Sequence, residues 1–348
     1  MTGVQHIAVP ADDAEQRLDR WIRKRWPHVG QGRIEKMCRR GQIRVDGGRA
    51  KAATRVAAGQ VIRIPPLPAP QDADRAGQRE QDGRSEVKPA LIEELRDAVV
   101  FKDEHLIALN KPPGLPVQGG SKQKVHLGHL LQALRFERRD EPRLIHRLDR
   151  DTSGILILAR TGAAATAMSQ LFRSRAVRKT YIAAVAGRPD PLAGTITYGL
   201  QKAGDRGAER MEVVHPDRVK ESAGAKPATT QYKVLEHLGN RMSAVVLRPI
   251  TGRTHQLRAH MAALGTPIAG DGKYGGRGQQ NLGDGWGAGL GGALSRKLHL
   301  HAAALSFRNP MNGLEMDLSA PLPVHMQRTW DTVGWSSAIL SGDPFEEF

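Results

Sequence analysis

Residues 144–161 read Leu-Ile-His-Arg-Leu-Asp-Arg-Asp-Thr-Ser-Gly-Ile-Leu-Ile-Leu-Ala-Arg-Thr, a polar block running straight into an apolar one. The apolar block, Ile155-Leu156-Ile157-Leu158-Ala159, is short and β-branched at alternate positions, which predicts a buried strand. Ahead of it, Thr152-Ser153-Gly154 predicts a tight turn. The block His146 to Gly154 is therefore a loop pinned to the mouth of a core strand, where a rigid sheet can fix polar side chains. Arg147, Asp149, Arg150 and Asp151 alternate in sign within it. In extended chain Arg147, Asp149 and Asp151 would share a face. As charges alone they read as a solvated turn.

The chain has 348 residues, room for two domains, and 52 Lys and Arg against 36 Asp and Glu give a net charge of +16. Such an excess suits a polyanion, nucleic acid first. An anionic membrane is the other partner that charge would suit, but no long apolar run or basic amphipathic anchor accompanies it. One cysteine, Cys38, excludes a disulfide framework and a cysteine zinc cluster. The opening residues show no basic segment followed by an apolar one, so no signal peptide is expected. The expectation is a soluble, cytoplasmic, monomeric protein with no cofactor and no metal.

Near the amino terminus, Asp12 and Asp13 are candidate caps for a helix with Leu18, Trp21, Ile22 and Trp26 on one face. A second helix places Ile34, Met37 and Cys38 inside, with Arg33, Lys36, Arg39 and Arg40 around it, and Gly41 stops it. Residues 43–45 and 61–64 read as strands, and Asp46-Gly47 as a hairpin turn. Residues 65–90 are rich in Pro, Gly and charge, the composition of a flexible tether. The domain division read from the sequence is 1–65, a linker at 66–96, a large domain at 97–325, and a tail at 326–348.

In the large domain, Val99-Val100-Phe101 and Leu106 to Leu109 read as strands, followed by a proline-fixed loop, Asn110-Lys111-Pro112-Pro113-Gly114. His126 to Phe136 and residues 162–176 carry helical patterns. Lys179-Thr180-Tyr181 opens a strand, and 203–229 reads as a surface insertion. Strands follow at 230–235, 242–247 and 298–302. Thr251 or Thr254 could cap a helix reaching Ala263 and ended by Gly265. His255 and His260 are five apart with no glutamate between them, so they are not the histidine pair of a metalloprotease. Gly270 to Gly275 and Gly287 to Gly292 satisfy a nucleotide-loop pattern by letter, but neither follows a strand and opens a helix.

His146-Arg147-Leu148-Asp149 followed by Asp151-Thr152-Ser153-Gly154 resembles the catalytic signature of the RluA/RluC/RluD-type pseudouridine synthases. Lys179-Thr180-Tyr181 and Gly252-Arg253-Thr254-His255-Gln256-Leu257-Arg258 resemble that family's second and third motifs, in order. The resemblance spans about residues 97–320 and implies an α+β fold of mixed, mainly antiparallel sheets with flanking helices. It also implies roles: Asp149, not Asp151, as the essential catalytic carboxylate; Tyr181 against the target uracil and in proton transfer; Arg258 paired with Asp149; Arg147 in flipping the base. Residues 15–64 are similar to the RNA-binding domain first seen in small-subunit ribosomal protein S-four. That resemblance implies phosphate contacts from Arg33, Lys36, Arg39, Arg40 and Arg44. The pairing of the two regions looks like the branch acting on large-subunit ribosomal RNA, RluC-like before RluD-like or transfer-RNA-directed.

Two other classes compete. A catalytically silent RNA-binding assembly protein would keep the fold, although Asp149, Tyr181 and Arg258 are intact. A glycoside hydrolase pairing Asp149 with Asp151 explains neither the charge nor the amino-terminal region. A kinase is excluded, since the order is not His-Arg-Asp and no Asp-Phe-Gly accompanies it.

Overall fold

The computed structural model of the chain describes residues 3–67, 87–119, 125–203, 210–275, 294–336 and 344–345. Two compact units are present, Met1–Ser85 and Glu86–Phe348.

The first unit contains β1 (Gln5–Ala8), α1 (Leu18–Arg25), α2 (Gln31–Arg39), β2 (Arg44–Val45), β3 (Gly48–Arg49) and β4 (Val61–Ile64). Its antiparallel sheet runs β1-β4-β2-β3. Leu18, Trp21 and Ile22 of α1 and Ile34, Met37 and Cys38 of α2 close a core with Ile43, Ile62 and Ile64. Their helical spacing in the sequence is what brings them to one side. Asp46 and Gly47 turn the β2–β3 hairpin at φ 48° and 75°, the left-handed pair that such a turn requires. Asp12 and Asp13 do not cap α1. They lie in a 3-10 turn, and the buried Asp13 carboxylate reaches instead to Lys24 (2.7 Å) and Arg25 (2.8 Å) in the last turn of α1. Cations concentrated at a helix carboxyl end draw the acid there.

The second unit runs α3 (Pro89–Asp97), β5 (Val99–Lys102), β6 (Leu106–Lys111), α4 (Leu127–Leu130), β7 (Arg143–Leu144), β8 (Ser153–Ala159), α5 (Gly162–Arg173) and β9 (Arg178–Ala186). It continues through β10 (Ala193–Ile196), β11 (Gly199–Lys202), β12 (Met211–Val214), β13 (Lys226–Pro227), β14 (Thr230–Leu238) and β15 (Met242–Pro249). Last come α6 (Gln256–Ala263), β16 (Leu300–Arg308), β17 (Glu315–Ser319) and α7 (Val324–Val333). The main sheet has the order β10-β14-β15-β9-β16-β8-β6-β5, with β17 beside β16 and β7 beside β8. Among its described pairings β8–β16 is parallel and the rest are antiparallel, the mixed α+β arrangement expected.

Every residue of β8 is buried. Leu156 and Leu158 face one core with Ile107, Leu109 and Leu127, while Ile155, Ile157 and Ala159 face another with Leu106, Ala164 and Met168. Alternation along the strand thus splits one apolar run between two covered faces. On β9 the same alternation sends Ala183 and Val185 toward Leu257 and Met261 of α6, and Ile182 and Ala184 toward Met326 and Trp330 of α7.

Three expectations about organisation change. The linker does not extend to 96: Pro89 opens α3, and Leu91, Ile92 and Leu95 give it an apolar face that packs on the core beside β6. Residues 68–86 lie outside the described residues. Residues 326–348 are not simply a tail, because Met326 and Trp330, one helical turn apart, are fully buried. Burying one tryptophan removes enough apolar surface for roughly 4–6 kcal/mol of transfer free energy. Finally, β12 and β13 of the expected surface insertion pair with β11. Leu200 and Ala228 pack there against Ala259 of α6 and Tyr274. Gly287 to Gly292 lie outside the described residues.

Candidate active site

Asp149 enters the site through a turn that closes earlier than Thr-Ser-Gly predicts. The Thr152 amide donates to the Asp149 carbonyl at 3.2 Å, and Ser153 and Gly154 already belong to β8. Arg150 and Asp151 therefore occupy the tip, where they pair with each other at 2.9 and 3.1 Å in solvent. Asp149 lines a cleft of about 490 Å³, and Asp151 does not. The face that Arg147, Asp149 and Asp151 would share in extended chain is lost at the turn.

Three contacts fix this loop. Gly154 sits at φ 109°, and a Cβ there would collide with the Ala302 carbonyl on β16. Lys111, fully buried, donates through Nζ to the carbonyls of Pro112 and Leu115 at 2.9 Å and of Arg150 at 3.0 Å. Burial draws its pKa down to about 7, against the pull of Asp151 and Asp149, while three carbonyl acceptors favour the ammonium with its three donors. The proline-fixed loop thus grips the Asp149 turn, the Gly114 amide adding a 2.9 Å bond to the Arg150 carbonyl, and does not itself line the cleft. His146 accepts the Ile157 amide at Nε2 (2.8 Å) and stacks on Phe172 with centroids 4.3 Å apart. Burial, and then the charge of Lys179, lower its pKa to about 3, so the ring is a neutral bracket.

The facing wall is residues 249–258. Arg258 lies on the buried face of α6, with Nη1 3.5 Å from Asp149 Oδ2. Its shorter contacts go elsewhere: Nε and Nη2 each donate at 2.7 Å to the two oxygens of Asp271, a forked pair. Asp271 Oδ1 also accepts the amides of Lys273 and Tyr274. Arg258 is therefore a bridge, anchored by one carboxylate and presented to the other. Burial opposes its charge, but Asp271 and then Asp149 outweigh that, and its pKa is raised. In the sequence Asp271 sits in a glycine-rich loop with no local pattern tying it to residue 258.

His255, a member of the third motif to which the sequence assigns no role, borders the carboxylate. It adopts φ 52°, with Nε2 3.8 Å from Asp149 Oδ2 and Nδ1 3.0 Å from the Tyr274 hydroxyl, which in turn accepts the Met211 amide at 2.8 Å. With Nε2–H toward the carboxylate, Nδ1 accepts from Tyr274. Burial lowers the His255 pKa, Asp149 opposing and Arg258 and Lys273 reinforcing. Neither Thr251 nor Thr254 caps α6. The Thr251 hydroxyl donates to Gln256 Oε1 at 2.7 Å, and Gln256 Nε2 donates to the Thr229 carbonyl (2.8 Å) and Thr230 hydroxyl (3.0 Å). Gln256 thereby staples the wall to β14.

Tyr181, half-buried on β9, lines the same cleft as Asp149 and Arg258. Burial, with the charge of Asp149, raises its pKa, so its phenol stays protonated. Arg147 is exposed at the cleft's edge. Arg33, Lys36, Arg39, Arg40 and Arg44 belong to the first unit and are all exposed. Arg44 donates to the carbonyls of Gly41 (3.1 Å) and Gly47 (3.2 Å).

Residues 105–263 match the family model described as RNA pseudouridylate synthase. The chain is 36% identical over 319 residues to ribosomal large subunit pseudouridine synthase C of Yersinia pestis, covering 92% of each protein. To the protein of the same name from Escherichia coli (strain K12) it is 35% identical over 327 residues, 93% of this chain and 95% of that one. The solved structure of human RNA pseudouridylate synthase domain containing 4 is 28% identical, with a TM-score of 0.57, over 72% of this chain and 97% of that one. These likenesses run through the cleft-bearing unit, and the chain belongs to the RNA pseudouridylate synthase family, whose members isomerise uridine in RNA.

Proposed function

We propose that this pseudouridine synthase acts on large-subunit ribosomal RNA, as the names of its bacterial relatives state for them, with Asp149 as its catalytic carboxylate. The observation that carries the residue assignment is the chain of contacts from buried Asp271 through Arg258 to Asp149 at the cleft floor. The reaction breaks the bond from ribose to uracil N1 and joins ribose to C5. One proton leaves C5 and one is gained at N1, so no atom, electron or outside reagent is consumed. Asp149 then needs only to be aimed, which the guanidinium 3.5 Å away does. Tyr181, held as the neutral phenol, packs on the detached base and is poised to give a proton rather than to take one.

The uridine must leave its stack, at a cost of a few kcal/mol, before it enters such a cleft. Arg147 at the edge braces the vacated position. The basic, exposed side of α2 adds affinity for the phosphate backbone without reading sequence. Nothing in the geometry favours the glycosidase reading, because the second carboxylate, Asp151, is spent on Arg150 outside the cleft. A cytoplasmic, monomeric enzyme fits this work.

The test is Asp149→Asn on ribosomal RNA carrying tritium at uracil C5. Release of tritium should stop while RNA binding stays within a few-fold of wild type. Substantial turnover by the variant removes Asp149 from the chemistry. A map of pseudouridines from a deletion strain names the target, and a map with no site missing from large-subunit RNA overturns the substrate assignment.

A further inference from the structure

One stretch of the cleft wall is cationic, with no carboxylate paired to it among the described residues. Lys179 and Tyr181 leave β9 on the same face, about 7 Å apart along the strand. Tyr181 sits near Asp149, whereas Lys179 lies near Arg175 and Gly252. A Cβ built on Gly252 would lie 4.0 Å from Lys179 Nζ, so the ammonium reaches across toward the facing wall. Lys179 is only partly exposed, and no carboxylate or hydrogen-bond acceptor partners it among the described residues. Burial, and the neighbouring charge of Arg175, lower its pKa. Two cations held side by side without an anion destabilise each other, and a fold keeps that arrangement when something else supplies the negative charge.

The backbone at Arg175 points the same way. It follows the last turn of α5 at φ 62°, the left-handed position where helices usually place glycine. The Ala176 amide closes back to the Leu171 carbonyl at 3.3 Å. A side chain here costs about 1 kcal/mol relative to glycine, so arginine is retained against local stability. Arg175 lines the cleft, and its charge acts on Lys179.

We propose that Lys179 and Arg175 form a subsite for the phosphodiester adjoining the target uridine, holding the RNA backbone while the base reaches Asp149. This rests on the isomerase reading of the cleft. The spacing fits it: about 7 Å separates the residue against the base from the residue on the phosphate, the scale of one nucleotide. The subsite would act in binding, ahead of the chemistry, and would not read sequence.

The experiment couples a protein charge to an RNA charge. RNA hairpins carrying the mapped uridine are made with an uncharged methylphosphonate at the linkage on its 5′ or its 3′ side. With wild-type enzyme, one of the two should weaken binding roughly tenfold. With Lys179→Gln that penalty should shrink to nearly none, and the variant's salt slope on unmodified RNA should fall by about 0.7, the loss of one single-strand contact. Lys179→Arg should restore part of the affinity. Arg175→Gly should weaken RNA binding while leaving the thermal midpoint equal or higher, an outcome that a purely structural arginine would not give. A methylphosphonate penalty that persists undiminished in Lys179→Gln, or no penalty at either linkage in wild type, overturns the subsite. Turnover of the unmodified hairpin by wild type reports separately on the isomerase reading.

Discussion

Replacing Asp271 by Asn isolates what the buried clamp does for Arg258. Asparagine keeps the volume and one carbonyl oxygen but removes the charge that two 2.7 Å bonds hold. Both partners are buried, so screening by water is weak. Breaking such a pair from one side costs about 3–5 kcal/mol, and the remaining amide oxygen and Asp149 place this case at the lower end. At about 2–4 °C per kcal/mol, a loss of about 3 kcal/mol lowers the thermal midpoint by roughly 6–12 °C. The consequence for rate is separate. Arg258 would be free to follow Asp149, and a shift of about 1 Å in a group that aims the reacting carboxylate costs on the order of 100-fold in kcat. Thermal unfolding by circular dichroism reads the first effect, and tritium release at saturating RNA reads the second. A variant with wild-type midpoint and wild-type kcat refutes the clamp. A lowered midpoint with unchanged kcat leaves Asp271 as a stabilising partner and removes it from the orientation of Arg258.

Gly154→Ala should destabilise the second unit by about 3 kcal/mol or more, since the added carbon meets the Ala302 carbonyl in a left-handed conformation; an unchanged thermal midpoint counts against it. Acid should weaken the fold early. His260, His299 and His301 have pKa values lowered to about 4 by burial, so below about pH 6.5 the unfolded chain binds protons that the folded chain refuses. Stability should then fall by about 1.4 kcal/mol per pH unit for each such histidine down to about pH 4, and a flat denaturation midpoint between pH 7 and 5 contradicts this. Neutralising Arg33, Lys36, Arg39 and Arg40 together as glutamines should flatten the salt dependence of RNA binding by roughly 0.7–0.9 per lost contact and leave the thermal midpoint in place; an unchanged slope removes α2 from the RNA interface.

Much of this was legible in the sequence where the signal was periodic or locally patterned. The all-buried β8, the amphipathic α1 and α2, and the Asp46-Gly47 turn follow from spacing and turn chemistry. Residues from each of the three motifs line one cleft, Asp149, Tyr181 and Arg258 among them. What escaped was set by contacts remote along the chain. Asp271 is thirteen residues from Arg258 in a loop that signals nothing, and Lys111 reaches the Arg150 carbonyl across thirty-nine residues. Asp13 reads as a cap, but α1 opens at Leu18 and the acid serves its far end. The expected tail failed for a simpler reason: Met326 and Trp330 are a short helical pair, too brief a pattern to mark a core element until β9 supplies the surface they cover.

The position of the cleft follows from where the sheet cannot stay whole. β16 pairs with β8 at two places, His301 with Ser153 and Ala302 with Gly154, before β16 turns to β17 and β8 to β7. One side of that junction, β5, β6 and β8, carries the Asp149 loop. The other, β9, β15 and the wall leading into α6, carries Tyr181 and Arg258. A carboxylate and the cation that aims it are thus delivered by different halves of the sheet, and any slip between the halves changes the 3.5 Å between them. The junction is braced accordingly. His301 must donate Nε2–H to the Ala320 carbonyl (3.2 Å), which leaves Nδ1 to accept from the Ser153 hydroxyl (2.9 Å), deep in the core. With Gly154 allowing the strands to touch, that bond fixes the register of the two halves at the root of the catalytic loop. The glycine and serine of the signature are therefore there for the junction, and the aspartate four residues earlier inherits its position from them.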